Sequence, residues 1–283
     1  MEKLFSDYVG RTTEQTEVIT AAPVDKLAAL LDRDDHFEEA DEIPVGAHWL
    51  YFLPTAKQAN LDIDGHPLRG DFLPPVDLPR RMWAGSRIIF GSPLRVGDRA
   101  TKRSEILKIE GKAGRSGQMV FVTVRSTVAG NDGLAVTEEQ DLVYRGHSGT
   151  TTTPSAVATS SEPAGPEARR ESLIPTPALL FRFSALTFNA HRIHYDRDYA
   201  REQEGYPDLV VHGPLTATLL LDLIRKTYSD RRVRQFQFRG QLPLFVNRKL
   251  ELEIQEVSDG QLKLRAISEG GHVAMSASAR LAG

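Results

Sequence analysis

The sequence contains no cysteine among its 283 residues. This absence excludes disulfide bonds, thiolate nucleophiles and cysteine-ligated zinc. The sequence also lacks a long apolar run, because its most hydrophobic stretch, LTATLLLDLIRK at 215–226, is too short and too charged to cross a bilayer. The N-terminal residues MEKLFSDYVGRTTEQ show neither the basic nor the apolar segment of a secretion signal. We therefore expect a cytoplasmic protein without a membrane partner.

An excess of charge of one sign is also missing. Lys and Arg number 35 against 38 Asp and Glu, which leaves a formal charge of −3. Without a basic field, nucleic acid is not an expected partner. Hydrophobic residues make up 40% and charged residues 26%, a profile typical of a globular protein with a packed core. The length allows one large domain or two ordinary ones.

One segment near the middle of the chain has few large side chains. Residues 146–168 consist mostly of Thr, Ser, Pro, Ala and Gly, so this segment cannot pack a core of its own. Structureless loops of this length are uncommon inside a compact domain. We therefore predict an N-terminal domain at 1–145, a linker at 146–172 and a C-terminal domain at 173–283. A long surface loop within a single domain is the alternative.

The two sides of this segment resemble each other. RIIFGSPLRVGDRATKRSEI at 87–106 and QFQFRGQLPLFVNRKLELEI at 235–254 align at an offset of 150 residues, which places Pro93 on Pro243. Both contain a Pro-Leu-x-Val corner, between two predicted strands and followed by a polar turn. A duplication explains this repeat most simply.

Each half also contains a predicted hairpin, and the second half a helix. Alternating apolar and polar residues flank the turns NDG at 131–133 and EGG at 269–271, which indicates antiparallel strands. The apolar residues of GPLTATLLLDLIRKTY at 213–228 fall on one helical stripe, so this segment is expected to be a buried helix against the sheet. A weaker equivalent is expected within VGAHWLYFLPTA at 45–56, where Pro54 must cut it short.

One helix wrapped by a curved antiparallel sheet, present twice, resembles the double hotdog fold of the α+β class. The stretches LTFNAHRIHYD at 186–196 and VVHGPLTA at 210–217 resemble the MaoC-like, (R)-specific enoyl-thioester hydratases and dehydratases. The longer string FRFSALTFNAHRIHYD is similar to a narrower branch, the mitochondrial-type 3-hydroxyacyl-thioester dehydratases and the bacterial mesaconyl-C4-CoA and itaconyl-CoA hydratases. This resemblance covers nearly the whole chain.

The resemblance implies catalytic residues within the first stretch. In the wider family a D-x-N-P-x-H segment carries catalysis; its histidine falls on His194, and its acid falls on Asn189, which has no carboxylate. Imidazole can accept and return a proton near neutral pH, so His194 is the expected general acid and base. The Asn189 amide can hold the attacking water or orient the imidazole. His191, Asp196 and Asp198 are candidates to replace the missing carboxylate.

The second stretch opens the predicted helix with His212, Gly213 and Pro214. The first amide groups of a helix are unpaired and lie at its positive end, so they can hold the oxyanion of a reacting thioester. Gly213 lets the thioester carbonyl approach the backbone, and proline suits an early helical position. An ordinary helix start is the alternative. His212 is either a substrate contact or a cap, and His191 is either a substrate contact or a structural residue. If its segment is helical, the side chain of His191 should point away from that of His194.

A dicarboxylic thioester would also need a cation for its free carboxylate. The candidates are Arg182 and Arg239, together with Arg192, Arg80 and Arg81, and the sequence does not choose among them. The acidic run DRDDHFEEADE at 32–42 contains one histidine, but its spacing matches no familiar ligand pattern. We expect a solvated surface there and no metal site.

These observations predict a hydro-lyase that hydrates itaconyl-CoA or mesaconyl-C4-CoA to citramalyl-CoA. The C-terminal half is expected to be catalytic, since the N-terminal copy lacks an Asn-x4-His pattern. No cofactor is expected, because the CoA thioester is itself the substrate. Dehydration of 3-hydroxyacyl thioesters, on CoA or acyl carrier protein, is one alternative, and a non-catalytic acyl-CoA-binding module is another. Whether hotdog surfaces form a homo-oligomer is left open.

Overall fold

Ten antiparallel strands form one continuous sheet in the computed structural model, which describes residues 5–114, 117–146 and 168–283. The order across the sheet is β1-β3-β4-β5-β2-β7-β10-β9-β8-β6. Two five-stranded halves therefore meet where β2 pairs with β7. The strands are β1 (Thr12–Val18), β2 (Arg80–Phe90), β3 (Arg99–Gly114), β4 (Gly117–Gly130), β5 (Gly133–Arg145), β6 (Arg169–Leu173), β7 (Val233–Gly240), β8 (Leu250–Ser258), β9 (Gln261–Ser268) and β10 (Val273–Leu281).

The two halves share one topology, as the repeat in the sequence predicts. The expected hairpins are formed by β4 with β5 and by β9 with β10. Both Pro-Leu-x-Val corners bury their leucine and valine. Each corner is followed by a residue in the left-handed region, Gly97 in the first half and Asn247 in the second, which turns the chain into the next strand.

Four α-helices accompany the sheet in the described part of the chain: α1 (Ala21–Leu30), α2 (Pro177–Leu186), α3 (Arg197–Glu202) and α4 (Gly213–Thr227). The predicted central helix is α4, which packs on β8, β9 and β10. Its apolar side chains are buried around most of its circumference, as expected for a helix that a curved sheet encloses. Arg225 and Lys226 in its last turn complement the negative end of the helix dipole.

The N-terminal half has only one short turn where the C-terminal half has α4. Residues Ala47–Leu50 form a 3-10 turn, followed by extended backbone at Tyr51 and by Phe52 with a φ of 55°. The helix expected at 45–56 is thus even shorter than Pro54 required. A cleft of 2790 Å³ lies over the uncovered part of the sheet and is lined by residues of both halves.

The predicted linker needs one correction, at its C-terminal end. Strand β6 pairs with β8 from Arg169 to Leu173, so residues 169–172 belong to the C-terminal half. The strand was missed because an edge strand can be almost wholly polar, and RRESL shows little apolar alternation. Residues 147–167 of the predicted linker lie outside the described residues. Among the helices that the structure describes, none is long and apolar enough to span a membrane.

Candidate active site

Four histidine rings form a continuous row at the edge of the cleft, and we call this set the histidine row. The ring centroids of His66 and His191 are 4.1 Å apart, those of His191 and His194 are 5.4 Å apart, and those of His194 and His212 are 3.6 Å apart. Three of these residues were predicted site residues, whereas His66 comes from the N-terminal half. The row therefore connects the two halves of the sheet.

His194 is buried and held in one tautomer. It ends the 3-10 turn Arg192–His194, and its Nδ1–H donates to the Val210 carbonyl at 2.7 Å. A carbonyl can only accept, so Nε2 carries the lone pair, and it has no hydrogen-bond partner among the described residues. Burial lowers the pKa of His194 to about 4, although the Val210 carbonyl opposes this shift. The neutral imidazole present at neutral pH can therefore act as a base.

His212 joins the row to the start of α4. It is the N-cap residue of that helix, its ring stacks on His194, and its Nε2 lies 2.8 Å from the Ser184 hydroxyl. The ring is fully buried, so His212 contacts His194 and not the open cleft. Of the two roles left open by the sequence, a substrate contact or a cap, His212 has the position of the cap but makes no capping hydrogen bond with its side chain, which instead supports the neighbouring ring.

Gly213 follows directly and lines the cleft. As the first residue of α4 it has an amide that the helix itself does not use. A Cβ added to Gly213 would meet only the Trp83 carbonyl oxygen, at 3.9 Å, so packing within the protein does not require glycine here. The amide of Gly213 is therefore available to a group bound in the cleft.

His191 does not point away from His194, contrary to the expectation for a helical segment. In a 3-10 turn, residues three apart lie on the same side, and the two rings meet edge to face at 90°. Burial, together with the neighbouring His66 and His194, lowers the pKa of His191 to about 2. His191 is thus a neutral ring packed between two others.

Asn189 stabilises the backbone just before His191 and His194. Its Oδ1 accepts the backbone N–H of His191 at 3.0 Å, which leaves the two amide hydrogens for other partners. The candidates for the missing carboxylate lie elsewhere. Asp196 caps α3 and pairs with Arg192 at 2.8 Å, and Asp198 is exposed in the first turn of α3.

The carboxylate that does reach the row is Asp64, which sequence reasoning missed. Its Oδ2 accepts from Nδ1 of His66 at 2.9 Å, and its Oδ1 accepts the backbone N–H of His66 at 2.8 Å. The D-x-D-G-H pattern at 62–66 is a recognisable turn signal. Nothing in that local signal indicates that the turn packs against a segment more than a hundred residues later.

Four of the five candidate arginines are exposed or already paired. Arg182 and Arg239, the first choices from the sequence, are exposed and do not line the cleft. Arg192 pairs with Asp196, and Arg80 pairs with Glu204 at 2.7 Å.

The fifth candidate, Arg81, lies beside the histidine row. It is half-buried on β2 and lines the cleft. Its charge contributes to lowering the pKa values of His66 and His191, so its guanidinium lies within electrostatic reach of both rings. No carboxylate of the described chain lies within ion-pair distance of it. Arg81 is therefore the candidate arginine that lines the cleft without a carboxylate partner among the described residues.

Asp64, His66 and His191 could hold a metal ion. One potential ligand atom from each lies within 4.8 Å of the others. Nitrogen and oxygen ligands of this kind suit several first-row metals. The Asp64 carboxylate, however, is already bonded to His66, an arrangement that also serves to fix an imidazole. In the acidic run at 32–42, Asp35 is paired with Arg33 and Arg225.

Comparisons with known proteins agree with this fold. The family model described as hydroxyacyl-thioester dehydratase type 2 matches residues 46–246. The mesaconyl-C(4)-CoA hydratase of Chloroflexus aurantiacus is 44% identical over 277 residues, which cover 98% of this chain and 97% of that relative. A solved MaoC-like dehydratase superposes with a TM-score of 0.73 at 14% identity, over 98% of this chain and 99% of its own. A Mycobacterium tuberculosis protein with a double hotdog fold gives 0.56 at 14% identity, over 96% of both chains. The chain has a double hotdog fold, is a hydro-lyase and belongs to the hydroxyacyl-thioester dehydratase type 2 family.

Proposed function

We propose that the protein hydrates a C5 dicarboxylic enoyl-CoA, either itaconyl-CoA or mesaconyl-C4-CoA, to citramalyl-CoA. The observation that carries this proposal is the Arg81 guanidinium beside the histidine row. Such a substrate carries a free carboxylate on a carbon of its double bond, and a guanidinium can bind that carboxylate through two hydrogen bonds. The relative named mesaconyl-C(4)-CoA hydratase supports the same substrate class.

His194 provides the proton transfer in this proposal. On mesaconyl-C4-CoA, whose double bond is conjugated to the thioester, Nε2 of His194 takes a proton from water while the water oxygen bonds to the β carbon, and it then returns that proton to the α carbon. On itaconyl-CoA, whose double bond joins the β carbon to a terminal methylene, the water oxygen bonds to the same β carbon and the proton goes to the methylene carbon. One imidazole suffices in either case, because the proton that leaves the water is the one that the neighbouring carbon receives. No resident metal or cofactor is required.

The start of α4 stabilises the charge that develops between these steps. The enolate oxygen of the thioester would accept the amide of Gly213, at the positive end of the helix dipole. His212 and Ser184 hold the His194 ring from behind. Arg248 and Lys249 are exposed and line the cleft, so they are suited to the phosphates of CoA.

A thioester panel tests the substrate class. We expect the purified protein to hydrate itaconyl-CoA or mesaconyl-C4-CoA with a kcat/KM at least about tenfold above that for crotonyl-CoA, because one hydrogen-bonded charge pair is worth roughly 1.5–3 kcal/mol. Arg81→Gln should remove this preference and leave the rate on crotonyl-CoA nearly unchanged. Arg182→Gln, at an exposed arginine outside the cleft, is the control. A preference for linear thioesters in the unmodified protein would contradict the proposal.

His194→Gln tests the proton transfer. We expect kcat to fall by about 100-fold or more, the usual scale for removal of a general acid or base. The thermal unfolding midpoint and the binding of a saturated thioester should stay close to their values in the unmodified protein. His272→Gln, an exposed cleft histidine outside the row, is the control. Unchanged turnover in His194→Gln would remove this residue from the mechanism.

Dehydration of linear 3-hydroxyacyl thioesters is the second candidate function. The size of the cleft favours it, because 2790 Å³ exceeds the roughly 300–1,000 Å³ of most small-molecule sites and leaves room for a longer chain. The same panel, extended to 3-hydroxyacyl thioesters on CoA and on acyl carrier protein, decides between the two. The non-catalytic alternative is set aside, because the matching family and its relatives are named as enzymes.

A further inference from the structure

The candidate site lacks the carboxylate of the wider family, and it contains an Asp-His pair to which the proposed reaction gives no role. Asn189 lacks the carboxylate of the wider family, and Asp64 with His66 reaches the site from the other half of the chain. We propose that His66 is the second group that binds the attacking water and that Asp64 is its positioning residue. This inference rests on the proposed hydration reaction, but not on which enoyl thioester is the substrate.

The turn at 62–66, which contains Asp64 and His66, packs directly against residues 190–192. The backbone N–H of Arg192 donates to the Asp64 carbonyl at 2.9 Å, and its guanidinium donates to the Ile63 carbonyl at 3.1 Å. Gly65 has a φ of 90°, and a Cβ there would lie 1.8 Å from the Ala190 carbonyl oxygen. The turn is therefore in direct backbone contact with the segment that precedes His194, so His66 has a defined position.

The orientation of His66 leaves one nitrogen for a ligand. Nδ1–H donates to the Asp64 carboxylate, so Nε2 carries the lone pair. The contact with His191 uses the face of the ring, since the centroids are 4.1 Å apart and the planes are inclined by 37°. Nε2 remains without a hydrogen-bond partner in the described chain. His66 also lines the cleft, with 20% of its side chain exposed.

The charges of the pair suit an acceptor of a water hydrogen. Burial alone would raise the pKa of Asp64, but the hydrogen bond and charge of His66 hold it well below its usual range. Burial lowers the pKa of His66, although Asp64 opposes this shift. An ionised carboxylate therefore lies behind a neutral imidazole at neutral pH. A carboxylate in this position fixes the tautomer and makes the far nitrogen a better acceptor.

The chemical step then uses two neutral imidazoles and one water. Nε2 of His194 accepts one hydrogen of the water and Nε2 of His66 accepts the other, which directs a lone pair of the oxygen at the β carbon. As the oxygen bonds to that carbon, His194 takes its proton and the π electrons move to the thioester oxygen. The proton returns from His194 to the α carbon. The second hydrogen stays on the product hydroxyl, still bonded to His66.

Asp64→Asn is the most informative variant. The oxygen of the introduced amide can still accept the backbone N–H of His66, so the turn should persist. The NH2 of that amide would then face Nδ1 and donate, which moves the ring proton to Nε2 and turns the acceptor into a donor. We expect kcat to fall at least about tenfold with KM nearly unchanged, since misplacement of a reacting group commonly costs 10- to 100-fold. The ¹⁵N NMR signals of His66 should report the exchanged tautomer.

His66→Leu should lower kcat by about as much as Asp64→Asn, since it removes the acceptor but keeps a side chain against His191.

The matched control for Asp64→Asn is Asp25→Asn, because Asp25 also bonds a backbone N–H through one oxygen and a histidine, His36, through the other. His36 is 74% exposed, and neither residue lines the cleft, so turnover should not change in that variant. A kcat within about threefold of the unmodified protein in Asp64→Asn, with its thermal midpoint retained, would overturn the proposal. So would an unchanged tautomer of His66.

The two proposals fail in different ways. The variants are assayed with whichever enoyl thioester the unmodified protein hydrates fastest. A preference for crotonyl-CoA would overturn the C5 dicarboxylic substrate and still allow the test of His66. If His66→Leu does not fold, the kinetics and NMR spectrum of Asp64→Asn decide. Absence of hydration on every thioester would overturn both proposals.

Discussion

The two halves of the sheet present opposite inner faces. In the C-terminal half this face lies under α4 and is apolar, with Leu252, Ile254, Leu262 and Leu264 all buried. In the N-terminal half the equivalent helix is a single turn, and the inner face lines the cleft with polar side chains: Lys102, Ser104, Ser126, Glu138 and Gln140. The C-terminal half therefore contributes the start of α4 to the candidate site. The N-terminal half, which has no long helix at the equivalent position, contributes the open volume of the cleft and its polar lining.

This division places the candidate site between the two halves. His191, His194, His212 and Gly213 come from the second half, whereas His66 and Arg81 come from the first. Neither half contains the histidine row by itself. In a duplicated fold, the shortening of the helix in one half can therefore open a cleft in which residues of both halves form a single site.

Equivalent strand positions provide the sharpest test of the comparison. Lys102 pairs with Gln15, six residues before α1 begins, and Leu252 pairs with Glu171, six residues before α2 begins. Leu252→Lys would place a charge under α4 without a partner, and we expect it to lower the free energy of unfolding by roughly 3–5 kcal/mol. Lys102→Leu faces the cleft and should change that free energy by no more than about 1 kcal/mol. Denaturant unfolding measures both, and equal effects would contradict the difference between the two faces.

The glycines at the two helix starts should respond in opposite ways. Gly213→Ala should lower turnover by about tenfold or more by displacing the thioester, with little change in stability, because its Cβ meets only an oxygen at 3.9 Å. Gly46 has a φ of 85°, and a Cβ there would lie 2.6 Å from Cδ1 of Leu221. Gly46→Ala should therefore lower the free energy of unfolding by about 2 kcal/mol. Thermal melts and initial rates on both variants check this, and a stability loss in Gly213→Ala would show that its glycine serves packing.

Because of the histidine row, the free energy of unfolding should decrease at acidic pH. Burial lowers the pKa values of His66, His191, His194 and His212, and that of His194 lies at about 4. Below about pH 6.5 the unfolded chain binds more protons than the folded one, so stability is complete above that pH and falls as the pH decreases toward 4. Each neutral histidine contributes a slope of up to about 1.4 kcal/mol per pH unit.

Denaturant unfolding between about pH 7 and about pH 5 measures this slope. His66→Leu should lower the slope of the free energy of unfolding against pH by the contribution of one histidine. His36→Gln, at an exposed histidine, should leave this slope unchanged. A flat profile over this range would show that the four rings are not held neutral by the fold.

The local sequence predicted most of the fold. The stripe of apolar residues in 213–228 and the alternation around the two turns were sufficient for α4 and both hairpins. The edge strand β6 was missed because its side chains are mainly polar, and the first-half helix was expected to be longer than its single turn. These errors lie where burial is partial and the apolar pattern is weak.

The candidate site was predicted only in its second-half part. The sequence selected His194, His191, His212, Asn189 and Gly213, which lie near one another in one segment and at one helix start. It could not choose Arg81 among five arginines, and it gave no reason to consider Asp64 and His66. Their role depends on contact between the turn at 62–66 and residues 190–192.

By itself the sequence determined the duplicated architecture, the central helix of the second half and the presence of a histidine at the start of that helix. Periodicity records which face of a strand or helix is buried, and that information is local. Only the tertiary structure decided which carboxylate and which arginine reach the histidines. Those neighbours are separated by more than a hundred residues, and their meeting depends on how irregular backbone packs against a distant segment.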